Sequence, residues 1–144
     1  MSLSFDPNQN YFYFKNNKTI PLLFIHGVGL DHQMWEPQIR SLNEFSILTY
    51  DILGHGKTPY KKDKVSLEDF SDQINSILSH HEIPKINLVG FSLGSLIALN
   101  FALSFQEKLN KLILIGTTYL RSEKERSLVL DRYNQAKLNK PISR

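Results

Sequence analysis

Ser92 stands between two glycines in the stretch Gly90-Phe91-Ser92-Leu93-Gly94, directly after an apolar run. A G-x-S-x-G pattern between a buried strand and a helix is typical of a serine nucleophile. The sharp bend strains the serine backbone, and side chains at the two glycine positions would collide with the adjacent strand and helix. The sequence therefore predicts that Ser92 is a nucleophile. The alternative is a strand-to-helix turn whose glycines serve only close packing.

A second glycine-bordered loop is expected to supply a backbone N–H that binds the carbonyl oxygen of the substrate. His26-Gly27-Val28-Gly29 follows another apolar run, and such a loop can turn the Val28 N–H toward a substrate carbonyl oxygen. The Leu93 N–H, at the start of a helix, faces the same oxygen with positive potential behind it. We therefore expect the Val28 and Leu93 amides to form an oxyanion hole, the alternative being an ordinary loop.

Short apolar runs ended by turn residues predict the strands that position these loops. Each run is largely apolar, a pattern that is typical of strands buried on both faces of a parallel sheet. The aromatic segment 11–14 predicts one more strand. The apolar runs cover 21–27, 45–51, 86–90 and 111–116.

Helical patterns alternate with these runs. Segment 34–42 has apolar residues at helical spacing, and Ser66 with Asp69 predicts a capped helix that ends at His80 and His81. Segment 93–105 is apolar on nearly every side, which predicts a buried helix. A last, polar helix begins at a capping box of Ser122 and Glu125 and is expected to stop at Pro141, and its carboxylates (Glu123, Glu125 and Asp131) are expected to face solvent. The alternation predicts an α/β fold with a mostly parallel sheet and helices on both faces.

Three motifs in this order resemble the α/β-hydrolase fold family: "FIHGVGLDHQMW", "YDILGHGKT" and "LVGFSLGS". They are most similar to small bacterial hydrolases of the 3-oxoadipate enol-lactonase type. The resemblance implies an N-terminal part of the hydrolase core over 1–118 and the start of a cap over 119–144. It also implies hydrolysis of an ester or lactone, with an enol-lactone as the first guess and no metal or organic cofactor. C–C bond hydrolysis, perhydrolysis and lyase reactions are other chemistries of this fold.

The base of the expected triad is missing from the sequence. The family order is serine, acid, histidine, but no histidine follows Ser92. We expect the fold to be truncated after its sixth strand, with the acid and the histidine beyond Arg144 and the isolated chain inactive. The alternatives are a second chain that supplies them, or a non-catalytic remnant that serves as a binding module. The apolar run 111–116 would then form an exposed edge, which favours self-association or, alternatively, an assembly role.

The five histidines of the sequence are expected to have roles other than that of the catalytic base. The resemblance implies that His26 orients the oxyanion loop, and His55 is expected to pin a glycine-rich turn. His32 is interpreted as an exposed histidine at a helix start, the alternative being a residue that lines the pocket. His80 and His81 close a helix, where protonated histidine suits the helix dipole. Asp51 ends a strand and is expected to fix the following turn with its side chain.

The composition limits the kinds of partner and the location that we expect for this protein. The 144 residues carry a net charge of +3 with scattered lysines, and there is no cysteine. Nucleic-acid binding would need clustered charge, so the expected partner is a small-molecule substrate. No apolar run approaches the roughly 18 residues of a membrane span, and the N-terminus does not match a signal peptide. We therefore expect no membrane partner and a cytoplasmic protein.

Overall fold

A computed structural model describes residues 2–60, 63–118 and 120–138 of the chain. Within these residues one six-stranded sheet has the strand order β1-β2-β4-β3-β5-β6. The strands are β1 (Ser2–Phe5), β2 (Tyr11–Lys15), β3 (Leu22–Ile25), β4 (Ile47–Tyr50), β5 (Ile86–Phe91) and β6 (Leu109–Ile115). The predicted strands are all present, and β1 is an additional strand that the sequence pattern did not predict.

The directions of the strands confirm the mostly parallel sheet. β3 pairs in parallel with β4 and β5, and β5 pairs in parallel with β6, whereas β1 and β2 add antiparallel pairings at one side. Ile25 of β3 is the register partner of Gly90 of β5. The strand that leads into the His26-Gly27 loop therefore lies beside the strand that leads into Ser92, and both loops leave the sheet at its carboxyl edge.

Helices cover both faces of the sheet, as predicted. On one face Trp35 packs against Phe24, Ile47 and Val89. On the other face α2 (Leu67–His80) and α3 (Leu93–Ser104) share one cluster with β3, β4 and β5. The side chains that these two helices bury there are Phe70, Ile74, Ile77, Leu78, Ile97, Ala98 and Phe101.

The helix expected over 34–42 is split in two. A 3-10 turn, His32–Trp35, precedes α1, which is Glu36–Ser41. The Asp31 side chain accepts a hydrogen bond from the Gln33 N–H and so starts the 3-10 turn two residues earlier than predicted. Pro37 lies in the first turn of α1, where its missing N–H costs no helical hydrogen bond.

The capping boxes are confirmed at both predicted sites. Ser66 and Asp69 cap α2, and Ser122 and Glu125 cap α4 (Glu123–Lys137). The polar helix α4 buries no residue, and its carboxylates are exposed, as predicted. Pro141 lies outside the described residues, and the division of the chain at residue 118 stays a prediction.

The expectation that α3 is buried all round is wrong on one side. The residues that face the sheet and α2 are buried, but Leu103 is 86% exposed. Phe101 in the same turn is fully buried and Phe105 packs on the core, so Leu103 lies on the opposite, uncovered side of the helix. Within residues 2–60, 63–118 and 120–138, no helix is long and apolar enough to cross a membrane.

Strand β6 forms one edge of the sheet, as expected. Its inner side pairs with β5, while its outer side has no neighbouring strand among the described residues. Four consecutive apolar side chains of β6 are 36–44% exposed: Leu112, Ile113, Leu114 and Ile115. An unpaired apolar edge of this kind is a template for pairing with another chain.

We predict that the 144-residue chain self-associates through β6 and that Leu114→Lys shifts it toward the monomer. A charged side chain on an edge strand opposes strand pairing because the ammonium would have to be desolvated. Light scattering after size exclusion at several concentrations measures the effect. Leu103→Lys, at a still more exposed leucine on α3, is the control and should change nothing. A wild-type chain that is monomeric at all concentrations would contradict this prediction.

Candidate active site

Ser92 occupies the bend between β5 and α3 and has a backbone conformation that is rare outside glycine. Its φ is +52° and its ψ is −113°. The strain is stabilised from both sides: the Ser92 N–H donates to the Ile115 carbonyl at 2.9 Å, and the Ser92 carbonyl accepts from the Ser95 N–H at 2.9 Å. Such local strain is concentrated at functional sites. The half-buried hydroxyl makes no hydrogen bond to any described residue.

The two flanking glycines are sterically required, as the sequence predicted. A Cβ at Gly90 would overlap the carbonyl of Gly94 and lie 2.8 Å from the Ser95 Cα. A Cβ at Gly94 would overlap the carbonyl of Ile25 and lie 2.7 Å from that of His26. All of these neighbours are backbone atoms, which cannot rotate away. The start of α3 is therefore packed directly onto the end of β3, and this contact brings the two loops together.

The loop after β3 lies against the serine. A Cβ at Gly27 would be 3.5 Å from the Ser92 Cβ and 3.1 Å from the Phe91 ring. Among the described residues, neither the Val28 nor the Leu93 amide donates a hydrogen bond within the chain. Val28 is 69% exposed. The Leu93 amide directly follows the serine and the Val28 amide directly follows Gly27, and their assignment to an oxyanion hole stays a prediction.

His26 orients this loop from a fully buried position. Its Nδ1 lies 2.8 Å from the Gly27 carbonyl, and its Nε2 accepts from the Ile52 N–H at 3.0 Å. Nε2 accepts, so the ring is neutral and Nδ1–H donates to Gly27. Burial is the main cause that lowers the pKa of His26. The ring therefore ties the loop after β3 to the segment after β4, and neither nitrogen is available to act as a base for Ser92.

We predict that the free energy of unfolding falls as the pH drops from 7.5 to 5. Below the ordinary pKa of 6.5 the unfolded chain protonates His26, whereas the folded chain resists protonation because burial lowers the pKa. The stabilisation is complete above pH 6.5 and is lost below it, at no more than about 1.4 kcal/mol per pH unit for one group. Urea unfolding at several pH values measures the slope. His26→Gln should flatten the slope, and a slope equal to that of the wild type in this variant would contradict the assignment.

Asp51 joins the same loop to the glycine-rich turn. Its buried carboxylate accepts from the His32 N–H at 2.8 Å, from the His32 ring Nδ1 at 2.7 Å and from the Lys57 N–H at 2.8 Å. A Cβ at Gly56 would overlap this carboxylate. The expectation that Asp51 fixes the following turn is correct. The interpretation of His32 as an exposed histidine is wrong: its side chain is only 13% exposed, because the ring packs onto Asp51.

The remaining histidines are not placed to serve Ser92 either. The His55 Nδ1 lies 3.1 Å from the Leu53 carbonyl, and its ring contacts His26 at 5.4 Å between centroids. His80 and His81 lie at the end of α2, next to the amino edge of the parallel strands and so opposite Ser92. Burial, chiefly, lowers the pKa of His81, whose ring lies 4.5 Å from the Phe12 ring. Burial thus opposes the positive charge that would complement the helix dipole at His81, and the expected role of these two histidines stays a prediction.

One group of side chains has the composition of a metal site. Asp31, His32 and Asp51 each offer a ligand atom within 4.8 Å of the others. These atoms already serve hydrogen bonds, however: the Asp31 carboxylate caps the 3-10 turn, and the Asp51 carboxylate accepts three N–H donors. A metal would have to displace these donors. The group is therefore better explained as a set of structural hydrogen bonds than as a metal centre.

Comparison with known proteins agrees with this geometry. The (E)-2-((N-methylformamido)methylene)succinate hydrolase of Acinetobacter baylyi is 27% identical over 132 residues, which are 91% of this chain and 50% of that protein. The 3-oxoadipate enol-lactonase 1 of the same organism is 33% identical over 79 residues, which are 54% of this chain and 29% of that protein. A thermophilic esterase from Thermogutta terrifontis superposes with a TM-score of 0.76 at 27% identity, covering 92% of this chain and 49% of the esterase.

The family model described as "alpha/beta hydrolase fold" matches residues 20–139. The chain therefore belongs to the alpha/beta hydrolase fold family, and the resemblance predicted from its three motifs is confirmed, including that to the enol-lactonases. It spans half or less of the length of the curated relatives it matches.

Proposed function

We propose that this chain carries the nucleophile and the oxyanion hole of a hydrolase that acts on a carboxylic ester or lactone. The observation that supports this most is the strained Ser92 (φ +52°), whose hydroxyl makes no hydrogen bond to a described residue and which lies against the Gly27 loop. A strained bend is retained only where the surrounding structure over-determines it. Here Gly90 and Gly94 allow the bend, and Ile115 holds it.

The chemistry follows from this arrangement. The Ser92 Oγ attacks the carbonyl carbon, and its proton passes to a histidine outside the described residues. The Val28 and Leu93 N–H groups bind the oxyanion of the tetrahedral intermediate, which then collapses and expels the alkoxide, protonated by the same histidine. Water hydrolyses the acyl-serine by the same route and restores the hydroxyl. The substrate class is proposed from the relatives, of which one is a 3-oxoadipate enol-lactonase, so an enol-lactone is the first substrate to test.

A fluorophosphonate probe tests the proposal directly. The probe phosphonylates only activated serines, so the natural polypeptide that carries this sequence should be labelled, and mass spectrometry should place the adduct on the peptide containing Ser92. The 144-residue chain alone should be labelled far more slowly, because a serine without its base is a poor nucleophile. Absence of labelling in the natural polypeptide, or an adduct on another serine, would favour a non-catalytic binding module.

A further inference from the structure

Phe91 directly precedes Ser92, and its ring lies between the ends of the two strands that flank β5. A Cβ at Gly27, in the loop after β3, would be 3.1 Å from the Phe91 Cδ1. A Cβ at Gly116, directly after β6, would be 3.6 Å from Cε2 on the other edge of the same ring. The ring therefore fills the space between the two loops, and a methyl group added at Gly27 would have to displace the ring or its own loop.

The peptide group between Gly27 and Val28 is held at its carbonyl. The Gly27 carbonyl accepts from the His26 Nδ1–H at 2.8 Å and from the Leu30 N–H at 3.3 Å. In a trans peptide the N–H points away from the carbonyl, so these two bonds fix the direction of the Val28 N–H. They do not fix how far the peptide lies from Ser92, because both donors belong to the same segment as the peptide itself.

The Phe91 ring supplies this missing constraint, because it cannot move away from Gly27. Its other edge is backed by the chain at Gly116, and the half-buried side chain packs against the apolar cluster that contains Trp35 and Val89. Close-packed groups transmit a change in size to their neighbours. The size of the side chain at position 91 therefore sets where the loop after β3 comes to rest.

We propose that Phe91 is a positioning residue whose ring sets the distance between the Val28 N–H and the Ser92 Oγ. This inference rests on the proposed function, in which that N–H binds the oxyanion. Such a donor acts when it lies about 2.7–3.1 Å from the place where the oxyanion develops, so a small shift of the loop weakens it. Phe91 acts through the backbone of Gly27 and not through a bond to the substrate.

Phe91→Leu in the natural polypeptide that carries this sequence tests the proposal. The smaller side chain leaves the loop without support, so kcat for p-nitrophenyl acetate should fall about 30-fold, part of the roughly 10²–10³-fold that one oxyanion donor contributes. KM should change by less than about twofold, because the donor binds the transition state more strongly than the substrate.

Phe105→Leu is the matched control. Phe105 is also half-buried, but its ring stacks on Phe101 at 4.9 Å between centroids, at the other end of α3 from Ser92. The urea midpoints of Phe91→Leu and Phe105→Leu should fall by similar amounts, whereas Phe105→Leu should keep the kcat of the wild type. A loss of stability alone therefore does not explain a loss of kcat in only one of them.

A double-mutant cycle with Gly27→Ala tests whether the ring and the loop act together. The added methyl presses on the ring and displaces the loop, so Gly27→Ala alone should lower kcat about tenfold. Phe91→Leu makes room for that methyl, so the double variant should be about tenfold more active than two independent effects would make it.

Two outcomes overturn the role of Phe91: single effects that simply multiply in the double variant, or a Phe91→Leu enzyme that turns over as fast as Phe105→Leu. Ser92→Ala, measured alongside, separates this failure from that of the proposed function. If Ser92→Ala keeps its turnover, both are wrong, whereas if Ser92→Ala is inactive, only the role of Phe91 is lost.

Discussion

Replacing Ser92 with alanine in the natural polypeptide that carries this sequence is expected to lower the turnover of p-nitrophenyl acetate by about 10⁶-fold. The substitution removes the attacking oxygen and leaves only the oxyanion hole and substrate binding. It should change KM little, because the hydroxyl contributes to the transition state rather than to ground-state binding. Steady-state kinetics measure both constants.

Ser104→Ala is the control for this comparison. Ser104 is an exposed serine at the other end of α3, so its loss tests for general effects of a serine-to-alanine change on the same helix. Its kcat and KM should equal those of the wild type. A fall of less than tenfold in Ser92→Ala would show that another group performs the attack and would refute the assignment of the nucleophile.

Replacing Gly94 with alanine is expected to destabilise the fold by about 3 kcal/mol or more, the upper end of the cost of overpacking. The added methyl would overlap the carbonyl of Ile25 and approach that of His26 to 2.7 Å. Both carbonyls belong to the central strand β3 and its loop, so relief requires α3 to move off the sheet. Guanidinium unfolding followed by circular dichroism measures the loss.

Gly29→Ala separates this steric cost from the loss of glycine itself. Gly29 has a φ of +72°, but a Cβ there would meet nothing within 4 Å. Its replacement should therefore cost only about 1 kcal/mol of backbone strain. If Gly94→Ala is no more destabilising than Gly29→Ala, the prediction that overpacking between α3 and β3 costs about 3 kcal/mol is contradicted.

The local parts of the fold and site were predictable because their signals are local. The need for glycine at Gly90 and Gly94 follows from the tight bend around Ser92, and the structure places backbone atoms where those side chains would be. The capping boxes at Ser66 and Ser122 depend on residues three positions apart, so the sequence contains the whole interaction.

The features that were missed depend on contacts distant in sequence. His32 pairs with Asp51 across 19 positions, and a histidine near a helix start has no local sign of that partner. His81 loses contact with solvent because the ring of Phe12, a residue far from it in the sequence, packs against it. Strand β1 has only four residues and exists because β2 offers it an antiparallel edge. Tertiary context decides each of these cases, as it often overrides local propensity.

The hydrogen bond from the Ser92 N–H to the Ile115 carbonyl links the reactive bend to the outermost strand. The backbone of the proposed nucleophile is therefore held in part by β6, and a polypeptide that added a strand to the outer side of β6 would lie only one strand away from it.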